Sequence, residues 1–99
     1  MKLKIKILEG ARAGEELELD FTSQSSYSFG RAGNDFQFND PRMSSNHFCV
    51  KSVEGVFVLE DLKSRNKTWV NSMPIQKMNI KNDMQMIAGG TLFQFIIVK

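Results

Sequence analysis

Ninety-nine residues, of which 41% are hydrophobic and 24% charged, suffice for one folded core and are too apolar for a disordered chain. A net charge of +2 is too small for a domain that neutralises a nucleic-acid backbone, and no run of about 18 apolar residues is present to span a bilayer. Cys49 stands alone, so no intramolecular disulfide forms, and MKLKIKILEG lacks the continuous apolar segment of a signal peptide. The expected setting is the cytoplasm, with neither nucleic acid nor membrane as partner.

The chain opens on a strand. In KLKIKIL, Leu3, Ile5 and Ile7 share one face and Lys2, Lys4 and Lys6 the other, the period-two pattern of a half-buried strand. The lysine face reads as solvated, with a role in blocking a sheet edge open to it. ELELD (16–20) repeats the alternation around Leu17 and Leu19. Then come SYSFG (26–30), DFQF (35–38), HFCVKS (47–52), VFVLEDL (56–62), TWVN (68–71), short pieces around 75–80, MQMI (84–87) and TLFQFIIV (91–98). About ten short strands at regular spacing predict an all-β sandwich or barrel. Glu54-Gly55 and Gly89-Gly90 fit tight hairpin turns. No internal repeat or linker divides residues 1–99, and the last strand runs nearly to Lys99, as in a module of a larger protein.

Three loops are rich in hydrogen-bond donors. FGRAGND places Arg31 directly after Gly30 at a strand end. NDPRMSSNH brings Arg42, Ser44, Ser45 and Asn46. DLKSRNKTWVN brings Ser64, Arg65, Asn66 and Lys67. A phosphate, with three acceptor oxygens, wants several charge-assisted hydrogen bonds, and guanidinium suits it where a fork must match the oxygens. Spacing alone does not bring the loops together, because simple up-and-down strands would send successive loops to opposite ends. Taken singly, Arg31 fits a solvated surface residue, Ser44 and Ser45 fit turn caps, and Asn66 fits an Asx turn.

Taken in order, FGR, MSSNHF, LEDLKSRNKTWVN and KNDMQMIAGGTLFQF resemble the forkhead-associated (FHA) domain pattern over nearly the full chain. That resemblance implies an eleven-stranded antiparallel β-sandwich with binding loops at one end. It also implies a module of signal transduction that binds a phosphothreonine protein or peptide, in another chain or in the same one. It carries Arg31 and Ser44 onto the phosphate, Ser45 beside it, Arg65 near the phosphothreonine and Asn66 onto the peptide main chain. Gly30, His47, Thr68 and Asn71 become supports, His47 by bracing the loops rather than by proton transfer. Arg42, two residues before Ser44, is expected to meet an acidic residue about three places after the phosphothreonine, since an extended peptide rises about 3.3 Å per residue.

The sequence departs from the pattern at Lys67, Ser72 and Asn82, each at a position where the family commonly has glycine. If the Lys67 turn needs positive φ, a lysine costs about 1 kcal/mol there. This departure keeps open a second reading, a phosphorylation-independent scaffold on the same fold. Enzymatic activity is not expected. His47 and Cys49 are i and i+2 on a strand, nearly 7 Å apart at Cα by the about 3.3 Å rise per residue, with no orienting partner. One His and one Cys do not complete a metal site, no cofactor is implied, and the Asn66-Lys67-Thr68 glycosylation sequon is incidental without a secretory signal. Trp69 and most of the phenylalanines read as core, Trp69 with partial exposure.

Overall fold

The computed structural model describes residues 1–98 and contains eleven strands and no helix among them. The strands are β1 (Lys2–Glu9), β2 (Glu16–Asp20), β3 (Ser26–Gly30), β4 (Phe36–Gln37), β5 (Phe48–Val53) and β6 (Val56–Asp61). They continue as β7 (Thr68–Val70), β8 (Met73–Ile75), β9 (Lys77–Asn79), β10 (Gln85–Ala88) and β11 (Thr91–Val98). Two sheets form the sandwich: β2-β1-β11-β10-β7-β8 and β4-β3-β5-β6-β9. All pairs are antiparallel except β3–β4, where Phe29 faces Phe36 and Gly30 faces Gln37 in parallel. The exception arises because the loop after Gly30 doubles back. The Asp35 carboxylate accepts the Ser28 N–H at 2.9 Å, and Phe38 N–H donates to the Gly30 carbonyl at 2.9 Å.

The alternation read in β1 is realised: Leu3, Ile5 and Ile7 are buried. An edge-blocking role for the lysine face is not, because β1 lies between β2 and β11. Lys2 and Lys4 instead reach Glu18 and Glu16 across the β1–β2 pair, at 3.2 and 3.6 Å. Such half-exposed pairs contribute about 0.2–1 kcal/mol each at most.

Aromatic side chains fill the space between the sheets. Phe29 and Phe48 stack at 4.5 Å with planes 5° apart, and Phe48 meets Phe93 of the other sheet edge-on at 5.4 Å. Phe38 closes on Phe93 at 5.3 Å. Each fully buried phenylalanine stabilises by about 1.5–3 kcal/mol relative to exposure. This cluster lies directly beneath one end of the sandwich.

The register across the second sheet brings the loops to that end. Phe29 at the end of β3 faces Phe48 at the start of β5, which faces Asp61 at the end of β6. The chain segments after Gly30, before Phe48 and after Asp61 therefore leave from one row. The β5–β6 hairpin turns at the opposite pole, where Glu54 and Gly55 both take positive φ (48° and 82°). That is the pattern of a type I′ turn.

Candidate functional site

Segments 31–35, 38–47 and 62–67 meet above the Phe29–Phe48–Asp61 row. The first two are joined by backbone: Arg31 N–H donates to the Ser44 carbonyl at 2.9 Å and Ala32 N–H to that of Ser45 at 3.5 Å. Asn34 adds its side-chain amide, which donates to the Ser45 carbonyl and, at 2.6 Å, to that of Ala32. Gly30 permits this approach. A Cβ there would stand 2.0 Å from the Ser45 carbonyl oxygen, so any side chain would force the segments apart.

His47 joins the second segment to the third. It is fully buried, and its Nδ1 accepts the Ser44 N–H at 3.0 Å while Nε2 lies 2.9 Å from the Lys67 carbonyl. A backbone N–H only donates and a carbonyl only accepts, so these partners select the neutral imidazole with its proton on Nε2. The expected bracing role thus has a specific form: one ring holds the backbone of two loops.

Ser44 provides the second tie. Its Oγ accepts the Arg65 N–H at 2.9 Å, which leaves the hydroxyl proton free to donate outward. Asn66 Nδ2 donates to the Arg42 carbonyl at 2.8 Å, and Trp69 Nε1 donates to the Asn66 carbonyl at 2.8 Å. Half-buried Trp69 therefore steadies the residue that crosses between the loops.

Beneath this rim lie two carboxylate hubs that sequence reading passed over. Asp61 accepts Ser64 N–H at 3.0 Å, the Ser64 hydroxyl, and the buried Thr68 hydroxyl at 2.7 Å. Asp40 accepts Arg42 N–H at 2.9 Å, Gly90 N–H at 2.9 Å and the Thr91 hydroxyl at 2.7 Å, tying the 38–47 segment to the β10–β11 turn. Burial alone would raise the Asp40 pKa, but the Thr91, Arg42 and Gly90 donors and the Arg42 charge outweigh it and hold the carboxyl below its ordinary value. Their signal was present as Asp40-x-Arg42 and Asp61-x-x-Ser64, spacings at which a carboxylate caps nearby backbone.

What remains at the surface is a row of donors. Arg31, Ser45, Arg65 and Asn66 are exposed and Ser44 is half-buried. Arg31 Nη2 lies 3.4 Å from Ser45 Oγ. Neither Arg31 nor Arg65 forms an ion pair among the described residues, and the nearby carboxylates Asp40 and Asp61 are engaged beneath the rim. Arg42 contributes its carbonyl to the rim, while its Cδ lies alongside Gly90, by a groove shared with Gly10, Ala11 and Pro41. Asn71 stands apart. It sits at the β7–β8 turn with φ of 50° and makes no side-chain hydrogen bond to the rim residues. Its support is that of a turn former.

Lys67 adopts φ of 67°, and Ser72 φ of 64°. Both keep the backbone conformation that glycine takes without penalty. The Asn82 position differs, since positive φ falls on the following Asp83 (67°). Burial pushes the Cys49 thiol pKa up, which disfavours the nucleophilic thiolate.

A β-sandwich that gathers hydroxyl, amide and guanidinium donors from three loops at one pole is the architecture of a module that binds through its loops. The FHA domain family profile matches residues 27–89, and the chain belongs to that family. The FHA domain of the CT664 protein from Chlamydia trachomatis is 24% identical and superposes with a TM-score of 0.88, with all of both chains covered. An FHA domain from a structural and functional analysis of phosphothreonine-dependent FHA interactions is 22% identical, with a TM-score of 0.87 over 100% of this chain and 99% of that one. Mycobacterium tuberculosis EmbR in complex with a low-affinity phosphopeptide is 18% identical, with a TM-score of 0.84 over 97% of this chain and 24% of that one. No curated protein sequence matches the chain.

Proposed function

We propose that this chain reads phosphothreonine in an extended segment of a partner protein, or of its own polypeptide, and performs no chemistry on it. The observation that carries the reading is the Ser44 hydroxyl. Its Oγ accepts Arg65 N–H, so its own proton is available to a ligand, and the carboxylates nearest the rim, Asp40 and Asp61, are already engaged. Arg31 supplies the fixed charge, Ser45 a flanking hydroxyl, and Arg65 a second guanidinium. The second side-chain amide proton and the side-chain Oδ1 of Asn66 are left for a peptide main chain. Phosphothreonine-dependent interaction in a structural relative supports the same reading.

Each hydrogen bond to the charged ester contributes about 1.5–3 kcal/mol. Removing the phosphate therefore weakens binding by about two to three powers of ten. The test is a calorimetric titration of phosphorylated and unphosphorylated threonine peptides against wild type and Arg31→Ala. The expected result is binding of the phosphorylated form alone, weakened by about one to two powers of ten in Arg31→Ala, equivalent to one lost bond of that strength. Equal binding of both forms by both proteins would favour the phosphorylation-independent scaffold. That alternative drew its force from Lys67, and a lysine that keeps the turn's positive φ removes much of the reason for it.

Arg42 is assigned to an acidic residue some three places after the phosphothreonine. Its exposed side chain rises from the same segment as Ser44, and acidic enrichment there should disappear in Arg42→Ala.

A further inference from the structure

A groove of about 660 Å³ runs beside the 62–67 segment, on a flank that shares no lining residue with the Arg42 groove. Lys63, Lys67 and Lys77 line it, with Glu60, Asp61 and the residues of the β8–β9 turn. Its two carboxylates are already committed. Glu60 pairs with Lys51 at 2.7 Å, which holds its carboxyl below the ordinary value, and Asp61 serves Ser64 and Thr68. None of the three lysines forms an ion pair among the described residues, and only Lys77, opposite Glu60 across the β6–β9 pair, acts electrostatically on a groove carboxylate. Two of them, Lys63 (φ 57°) and Lys67 (φ 67°), occupy left-handed backbone that disfavours any side chain.

Resting on the phosphothreonine reading above, we infer that this groove selects partners carrying a second anionic group, an Asp, Glu or further phosphorylated residue, within a few positions of the phosphothreonine. The geometry supplies the reach. Lys67 directly follows Asn66, and its carbonyl is fixed by His47, so the base of its side chain is anchored at the rim. Arg65 and Lys67 are two residues apart, at most about 7 Å at Cα, which is the span of two residues of an extended peptide. A segment that leaves the rim over Asn66 toward the β8–β9 turn therefore passes Lys67 first, with Lys63 and Lys77 bordering the same trough. The shape is a groove rather than a socket, so the preference falls on a short stretch of acidic residues more than on one fixed place.

Exposed charge pairs are individually weak and screened by salt, so three lysines together should favour an acidic-flanked peptide over a neutral one by about tenfold at low salt. The experiment is fluorescence-anisotropy titration of synthetic phosphothreonine peptides. One has alanine flanks, and others carry aspartates before or after the phosphothreonine. Wild type is compared with Lys63→Gln/Lys67→Gln/Lys77→Gln, with Lys63→Glu/Lys77→Glu, and with Arg42→Ala. The readout is the ratio of acidic-flanked to neutral affinity within each protein, which cancels any general loss of binding.

A ratio near ten is expected in wild type on one flank, near one in the glutamine variant and unchanged on that flank in Arg42→Ala. With a further peptide carrying lysines at the same flanking positions, reversal toward the lysine-flanked form is expected in the glutamate variant, a result that a misfolded protein would not give. A wild-type ratio of one, or a ratio that survives loss of the lysines, overturns the groove assignment while phosphothreonine binding stands. No binding of any phosphorylated peptide by wild type overturns both.

Discussion

Lys67→Gly is the most direct probe of how the loops are built. The lysine sits at φ of 67°, where an L-residue pays about 1–2 kcal/mol for the clash of its Cβ with the following carbonyl. Glycine relieves that clash but enlarges the unfolded ensemble, which returns about 0.4–1 kcal/mol. The difference is a net stabilisation of about 0.5–1 kcal/mol. For a domain of this size it should raise the midpoint of thermal unfolding by about 2–6 °C. The carbonyl that receives His47 Nε2 is backbone, so the substitution leaves the loop connection in place. Urea unfolding followed by tryptophan fluorescence provides the assay, since Trp69 is the only tryptophan and is bonded to the adjacent Asn66. The midpoint should move up with an unchanged slope. An unchanged or lowered midpoint would refute the idea that this lysine carries backbone strain. With the groove assignment, the same variant should be more stable and less selective, the usual direction of exchange at a functional position.

Two further outcomes follow from the buried polar groups. His47→Ala strands Ser44 N–H and the Lys67 carbonyl together. At about 1–3 kcal/mol for each unpaired buried group, less what entering water restores, it should destabilise by about 2–3 kcal/mol and weaken phosphopeptide binding. Denaturation with parallel peptide titration checks it, and wild-type stability would remove His47 as the brace. Asp40 makes a prediction in pH. Its folded-state pKa is depressed, so its stabilisation is complete above the unfolded value of about 3.9 and is lost as pH falls through the lower folded value. The stability gap between wild type and Asp40→Asn should therefore narrow below about pH 4, where thermal unfolding at stepped pH would follow it. A gap independent of pH would show that the carboxylate charge is not what ties Arg42, Gly90 and Thr91 together.

Strand positions were legible because half-buried strands announce themselves by alternation. Ser26–Gly30 and Thr91–Val98 fall where the pattern put them. Asp35–Phe38 shortened to Phe36–Gln37 because Asp35 turns back to Ser28 and Phe38 bonds to Gly30, long-range contacts that no local pattern carries. The same shortening dissolves the apparent obstacle to convergence. With β4 only two residues long, the path from β3 to β5 is in effect one connection that starts and ends at the same pole. The rim residues Arg31, Ser44, Arg65 and Asn66 were found through a family pattern rather than through their chemistry taken singly. The supports beneath them were harder to see. The local spacings of Asp40 and Asp61 mark them as caps of nearby backbone, but their distant partners, Gly90 and Thr91 for Asp40 and Thr68 for Asp61, leave no such mark, nor does the Ser45 carbonyl that receives Asn34.

The row Phe29–Phe48–Asp61 has a consequence for how such a domain can diversify. Its three loops hang from one row across three neighbouring strands, fixed by cross-strand pairing and a stacked aromatic floor rather than by the loops' own tips. Exposed tip residues such as Arg65 can be exchanged for other chemistry without shifting the scaffold from which they project. A slip of β6 by a single rung would instead invert its inward and outward faces and carry the third loop away from the other two. Novelty in ligand preference is thus inexpensive at the tips and forbidden at the rungs.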